Sequence, residues 1–105
     1  MTMAPMLEKD FQAQVVELAK LLGWKVYSTR AAMTMKGFRT PVTSKGFPDL
    51  LLLRKGRLIG AELKVSAKVS PEQEVWLSEL SEVPGITCHV WRPSQMTEIV
   101  EALKP

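Results

Sequence analysis

Asp49, Glu62 and Lys64 are two acids and an ammonium set around one short pair of apolar runs in this 105-residue chain. The stretch FPDLLLLRKGRLIGAELK, residues 47–64, reads as a β-hairpin: Leu50 to Leu53 and Leu58 to Val65 are the strands, and Gly56, within Arg54-Lys55-Gly56-Arg57, marks the turn. A two-residue loop at Lys55 and Gly56, or a four-residue loop over 54–57, pairs Leu53 with Leu58 and sets Asp49 opposite Glu62. A three-residue loop sets Asp49 opposite Leu63 instead. In the first register Asp49, Leu51 and Leu53 share a face with Glu62, Gly60 and Leu58, and Lys64 follows two residues beyond Glu62 on that face. Directly opposed residues hold their Cβ atoms roughly 4.5–5.5 Å apart, a separation at which like charges repel. The arrangement asks for a cation: Lys64 supplies part of the charge, and a divalent metal ion would supply the rest.

Carboxylates without an accompanying Cys or His cluster suit a hard ion such as Mg2+ or Mn2+ better than Zn2+. An ion held there can bind a phosphate oxygen, polarise phosphorus and lower the pKa of a bound water, which are the requirements of phosphodiester hydrolysis. Lys64 is placed to hold or help deprotonate that water and to offset negative charge in the transition state. A compact ammonium has a pKa that its surroundings can shift, which favours Lys over Arg in this role. The plainer reading of the same residues is a pair of solvated strand-end acids and a surface ion pair worth at most about 1 kcal/mol.

The remaining elements must decide whether these groups meet. From about Leu7 to Leu22, apolar residues recur at Leu7, Phe11, Val15, Leu18 and Leu22, one helical stripe, and Gly23 is a C-terminal stop. Glu8 lies in the first turn, where the positive helix end favours an ionised carboxylate, while Asp10 and Glu17 are rival acids nearer solvent or farther from the stripe. WKVYST, residues 24–29, is a first strand, and residues 30–46 form a long loop suited to a flap over a polymer or to a plain connector. After the hairpin, Ser70, Pro71 and Gln73 give an N-cap, a proline at the first helical position and a capping-box partner. That helix runs from Pro71 to about Glu82 and is expected to bury Val75, Trp76 and Leu80, before Pro84 and Gly85 stop it. ITCHVW, residues 86–91, is a fourth strand, and SQMTEIVEAL, residues 94–103, a closing helix with Met96, Ile99, Val100 and Leu103 inward. The order is αβββαβα. The helical crossover between strands three and four favours parallel pairing, so the expected fold class is α/β, a mixed sheet flanked by helices with Glu8, Asp49, Glu62 and Lys64 converging at one end.

The length fits one domain over residues 1–105. No apolar run approaches the ~20 residues of a membrane span, and the N-terminus lacks the pattern of a secretory signal, so a soluble cytoplasmic protein is expected. The single Cys88 excludes an internal disulfide and reads as a buried thiol, and His89 reads as a structural imidazole. Trp24, Trp76 and Trp91 are expected in the core or at a subunit contact. The net charge of +3 is unevenly spread. Residues 30–68 hold nine Lys and Arg against Asp49 and Glu62, a net of +7, whereas residues 69–105 hold two cations against six acids, a net of −4. A solvated basic face accounts for such a run, but Arg30, Lys36, Arg39, Lys45, Arg54, Lys55, Arg57 and Lys68 around a paired-carboxylate site are also what a phosphate backbone needs.

Pro48-Asp49, twelve intervening residues and Glu62-Leu63-Lys64 resemble the PD-(D/E)XK nuclease signature. Extended by MLEKDFQAQVVELAKLLGWKVYSTR before it, by GFPDLLLL at 46–53 and by SPEQEVWLSEL after it, the chain resembles the VRR-NUC branch, the virus-type replication-repair nucleases, over nearly its whole length. The resemblance implies a restriction-endonuclease-like fold. It also implies Glu8, Asp49, Glu62 and the Leu63 main-chain carbonyl as Mg2+ or Mn2+ ligands, Lys64 as the catalytic lysine, and Gln73 as the family's glutamine. Stand-alone small members are similar to phage-encoded homodimers that cut branched DNA, notably four-way (Holliday) junctions, which places the chain in a bacterial or phage-infected cell. The alternatives are a nucleic-acid-binding module that hydrolyses nothing, and a nuclease subunit active only within a larger repair or restriction complex.

Overall fold

Phe11, Val15 and Ala19 recur every four residues along the first helix, and none of them is exposed to solvent. The computed structural model describes residues 6–29 and 45–105. Within them lie α1 (Glu8–Leu21), β1 (Lys25–Ser28), β2 (Leu50–Arg54), β3 (Arg57–Leu63), α2 (Pro71–Ser81), β4 (Ile86–Trp91), a short 3-10 turn (Pro93–Gln95) and α3 (Met96–Leu103). The fold is mixed α/β, with one four-stranded sheet in the order β1-β2-β3-β4 flanked by helices. The first three strands are antiparallel neighbours, and β4, reached through the α2 crossover, runs parallel to β3.

Strand alternation divides the sheet into two unlike faces. Leu50, Leu52, Ile59, Ala61, Leu63 and Trp91 point to one side, where they form a core with Phe11, Val15 and Ala19 of α1 and Ile99 and Leu103 of α3. Glu62 alternates with Ala61 and Leu63 and so points to the other side, toward α2. Helix α1 stops in a pair of bonds characteristic of a Schellman motif, Trp24 N–H to Ala19 O at 2.9 Å and Gly23 N–H to Lys20 O at 3.0 Å. The β2–β3 hairpin closes through Lys55 (φ 45°) and Gly56 (φ 80°), the left-handed pair of a tight two-residue turn whose twist suits the flanking strands.

Several sequence expectations shift here. The first strand is Lys25–Ser28; Trp24 belongs to the helix stop and is buried, its indole N–H donating to Leu103 O at 2.8 Å. Leu7 is 55% exposed: it is the N-cap of α1, with an extended backbone, and so stands before the helical face that Phe11, Val15 and Ala19 bury. Val75 is 56% exposed, and α2 has no fully buried residue. That helix is anchored by half-buried side chains, with Trp76 edge-on to Phe47 at 4.9 Å and donating to Lys45 O. The closing helix begins at Met96, after the 3-10 turn. Cys88 is half-buried, as is His89, which stacks on Trp91 at 5.3 Å. Residues 30–44 of the long loop, with Arg30, Lys36 and Arg39, lie outside the described residues. Among the described residues no helix is long and apolar enough to cross a membrane.

The approach to β2 is fixed by Gly46. Its φ is +91°, and a Cβ there would lie 2.7 Å from the Glu72 carbonyl carbon in the first turn of α2. Gly46→Ala therefore meets both backbone strain and an immovable neighbour, and the expected loss is about 2 kcal/mol or more. In a domain of this size that is a fall of about 10 °C in melting temperature, checked by thermal denaturation. An unchanged midpoint would contradict the close approach of this segment to α2.

Candidate active site

The hairpin register decides whether the acids meet. Leu53 pairs with Leu58 and Leu50 with Ala61, so Asp49, one residue before β2, stands level with Glu62. Thr29 N–H donates to the Asp49 carbonyl at 2.8 Å, and the Thr29 hydroxyl donates to Pro48 O, tying the start of β2 to the end of β1. The Asp49 side chain is also held, its Oδ2 accepting from the Leu63 main-chain N–H at 3.0 Å. Leu63 thus enters the site through its amide, while its side chain is buried in the core.

Glu62 is 1% exposed, an extreme position for a carboxylate. Its Oε2 accepts from Gln73 Nε2 at 2.8 Å and lies 3.6 Å from Lys64 Nζ, itself largely buried. Its Oε1 is buried and has no hydrogen-bond donor among the described residues. Burial above all, and then the neighbouring Asp49 charge, push the Glu62 carboxyl up from 4.5 to about 7, against a smaller pull downward from Lys64. When protonated, Glu62 donates toward Asp49, which also favours the neutral form. Such a pair is poised for a cation: a buried oxygen that lacks a donor carries a penalty of about 1–3 kcal/mol.

Gln73 serves two ends at once. Ser70 Oγ accepts from Gln73 N–H at 3.2 Å, and Ser70 N–H donates to Gln73 Oε1 at 2.8 Å, completing the capping box that starts α2. With its carbonyl committed to the cap, the Gln73 amide turns its N–H toward Glu62. One side chain thus both caps α2 and donates to Glu62.

Glu8 is the first residue of α1 and is half-buried, whereas Asp10 and Glu17 are exposed. Among the described residues no three His, Cys, Asp or Glu side chains form a group able to hold a metal ion. Asp49 and Glu62 are the members of the expected ligand set whose interaction the geometry establishes, and their oxygen-only chemistry, with one buried oxygen lacking a donor, fits a hard divalent cation. A residue not singled out from sequence lies one turn along α1 from Glu8. Gln12 donates from Nε2 to Ser28 Oγ at 2.9 Å, and its Oε1 is a second buried oxygen with no donor among the described residues. Its i,i+4 spacing from Glu8 was the available signal.

The expected basic surround is divided by the fold. Lys45 is exposed beside α2, 3.7 Å from Glu72, and Lys68 is exposed in the segment between β3 and α2, so both lie toward the carboxylate end. Arg54, Lys55 and Arg57 sit at the turn, about 17 Å from Asp49 at ~3.4 Å per strand residue. Arg54 Nε donates to Leu22 O at 3.2 Å, and Arg57 donates to Ala102 O at 2.9 Å and Lys104 O at 3.1 Å. The two arginines close the C-terminal ends of α1 and α3 and do not flank the acids. Burial lowers the His89 pKa from its usual value, consistent with an imidazole held neutral against Trp91.

The raised Glu62 pKa fixes a direction for stability against pH. Between about 4.5 and about 7 the folded chain keeps a proton that the unfolded chain has released, so stability falls as pH rises through that window and the full loss is present above it. The magnitude is on the order of 3 kcal/mol. With a chelator present, chemical denaturation should show a more stable protein at pH 5 than at pH 8. Glu62→Gln, which keeps an acceptor for Gln73 and offers Asp49 an N–H, should flatten the profile and exceed the parent at pH 8. His89, whose pKa burial lowers, works in the opposite sense over part of this window, so the comparison is between the two chains, and coincident profiles for the parent and Glu62→Gln would contradict the buried, paired state of Glu62.

A scan against protein-family models, a search of curated proteins and a search of solved structures gave no match to this chain.

Proposed function

We propose that this chain is a divalent-metal-dependent endodeoxyribonuclease with a restriction-endonuclease-like fold, hydrolysing phosphodiester bonds in branched DNA as a symmetric dimer. The observation that carries this reading is the buried Glu62 carboxylate, set level with Asp49 and 3.6 Å from Lys64 Nζ, with an oxygen that no described residue satisfies. A structural ion pair alone needs neither a second acid at that place nor an oxygen left without a donor. A second acid and an open oxygen are what a divalent ion would use as ligands.

Asp49 and Glu62 would hold Mg2+ or Mn2+, with Glu8 and the Leu63 carbonyl as the further ligands that the family resemblance supplies. When bound, the ion would contribute Lewis-acid polarisation of a phosphate oxygen and a more acidic water. The chain's own residues set the rest. Leu63 N–H fixes the Asp49 carboxylate, and Gln73, locked by its bond from Ser70, fixes the Glu62 carboxylate, so neither must reorganise when a phosphate arrives. Lys64 stands beside the carboxylates, where as an ammonium it can hold the attacking water and offset the charge that builds on the phosphate oxygens, and where only its neutral amine could take the water's proton. The water oxygen forms the new bond to phosphorus as the bond to the leaving sugar oxygen breaks, the water giving up a proton to the neutral Lys64 amine or to solvent and the leaving oxygen taking one from solvent.

Selectivity for shape suits a chain of this size, which has little surface to spare for reading base edges; DNA bendability and branching would supply it. A two-fold dimer would present two equivalent sites to the two strands of a four-way junction. The dimer and the junction both enter through the family resemblance.

The test is a nicking assay on linear duplex, splayed and four-way DNA with Mg2+, Mn2+ and Ca2+ in parallel. Cleavage of the four-way substrate in Mg2+ is expected, and Lys64→Ala or Asp49→Ala should lower it by about 10²-fold or more while thermal unfolding shows both variants folded. Undiminished cleavage by these variants would remove the assigned chemistry. Salt-sensitive DNA binding with no nicking in any of the metals would instead favour the non-catalytic binding module, and activity only with added cell components would favour the subunit of a larger complex. Metal binding has its own readout: Mg2+ should raise the melting temperature of the parent more at pH 8 than at pH 5, and should do so much less for Asp49→Ala.

A further inference from the structure

At the end of the hairpin away from Asp49 and Glu62, the α1–β1 turn and the β2–β3 turn face one another across a groove of about 310 Å3. Gly23, Lys25, Leu53, Arg54, Lys55 and Gly56 line it, three cations with no acid among them. Lys25 and Lys55 are exposed, and no salt bridge among the described residues engages either. Isolated surface lysines are ordinary, but these two border the same groove as Arg54, whose guanidinium is set in direction. Arg54 donates from Nε to Leu22 O and lies so close over Gly23 that a Cβ there would stand 3.1 Å from Nε. Its Nη groups make no hydrogen bond among the described residues, and the paired donors of a guanidinium suit a tetrahedral oxyanion.

The opposing charges are the C-terminal ends of α1 and α3, which both arrive at this end of the sheet and each carry about half a negative charge. Arg54 meets the first through Leu22 O, and Arg57 meets the second through Ala102 O and Lys104 O while lying 4.9 Å over the Trp24 ring. With the helix ends answered by the two arginines, Lys25 and Lys55 are left as surplus positive charge beside a groove whose walls at Gly23 and Gly56 have no side chains. A volume near the lower limit of ligand pockets, about 300 Å3, admits a phosphate group and part of an attached sugar.

We infer that this groove binds a phosphate group, carried either by a small anion or by the backbone of a nucleic-acid strand, at a site separate from the paired carboxylates. The two sites lie at opposite ends of β2 and β3, so occupancy here needs no hydrolysis and no metal.

The experiment follows backbone amide NMR signals of the full chain in EDTA at low salt, titrated in one arm with inorganic phosphate and in the other with a short DNA duplex. The signals of Gly23, Lys55 and Gly56 should shift and saturate with phosphate. The double variant Lys25→Gln/Lys55→Asn alters only exposed side chains and keeps at 55 a residue that tolerates a positive φ, and it should weaken phosphate binding about five-fold or more. If the duplex is the source, the same variant should weaken duplex binding by a similar factor and reduce the slope of log affinity against log salt by about 1. Loss of phosphate binding with unchanged duplex binding assigns the site to a small anion. No saturable shift at these amides in either arm of the parent titration would overturn the inference. Because chelation suppresses cleavage, none of these outcomes depends on whether the chain is a nuclease.

Discussion

A carboxylate withdrawn almost completely from water is the constraint around which one end of this molecule is organised. Glu62 lies on a central strand, and its two oxygens are treated differently: one is matched by Gln73 and Lys64, the other has no donor among the described residues. Burying an ion costs several kcal/mol unless partners replace the lost water, and a second acid at the same level of the sheet raises that cost. The neighbourhood answers in part. The start of α2 is capped by the residue that reaches Glu62, and Asp49 is held by the next peptide along β3. Sites that leave such a demand open in the resting chain are where chemistry is usually found, because the energy withheld there is available to a ligand.

The two ends of the sheet have opposite electrostatic problems. At the carboxylate end negative charge is crowded into a dry place, whereas at the hairpin turn the exposed carbonyls of two helix ends gather where β2 meets β3. Arginines close the second problem because a long side chain with a forked head can span the distance from a turn to a helix terminus, which no residue of the helices themselves does here. Gly23 sits beneath Arg54 with φ +91°, a backbone conformation that favours glycine at the helix stop, and a Cβ there would also press on the guanidinium at 3.1 Å.

How much of this was legible in the sequence depends on whether local rules or distant contacts set the outcome. The hairpin register was readable, since two apolar runs around Lys55-Gly56 leave few ways to pair, and with it the opposition of Asp49 and Glu62. The parallel β4 followed from the length of the crossover, and the capping role of Gln73 from its spacing to Ser70. The family resemblance counted Gln73 among the site residues, but its bond to Glu62 is seen only in the folded chain. Arg54 and Arg57 could not be placed from sequence, because their partners Leu22, Ala102 and Lys104 lie 32 to 47 residues away and are met only in the folded chain. Val75 misled because periodicity finds an apolar side of a helix without saying how deeply the helix settles on the sheet. Leu7 misled because the helix begins one residue later, which leaves Leu7 as an extended N-cap outside the buried face. Gln12 carries no charge, so nothing in its type marks it until the fold buries its amide against Ser28.

The shared amide of Gln73 has a mechanical consequence. Helix α2 begins with a bond network that also braces Glu62, so fraying of its first turn and loosening of the carboxylate are one event. Whatever steadies that acid also raises the barrier to unwinding the crossover between the last two strands. Solvent exchange of the amides near Ser70 and Gln73 should therefore act as a distant gauge of what the carboxylate is holding.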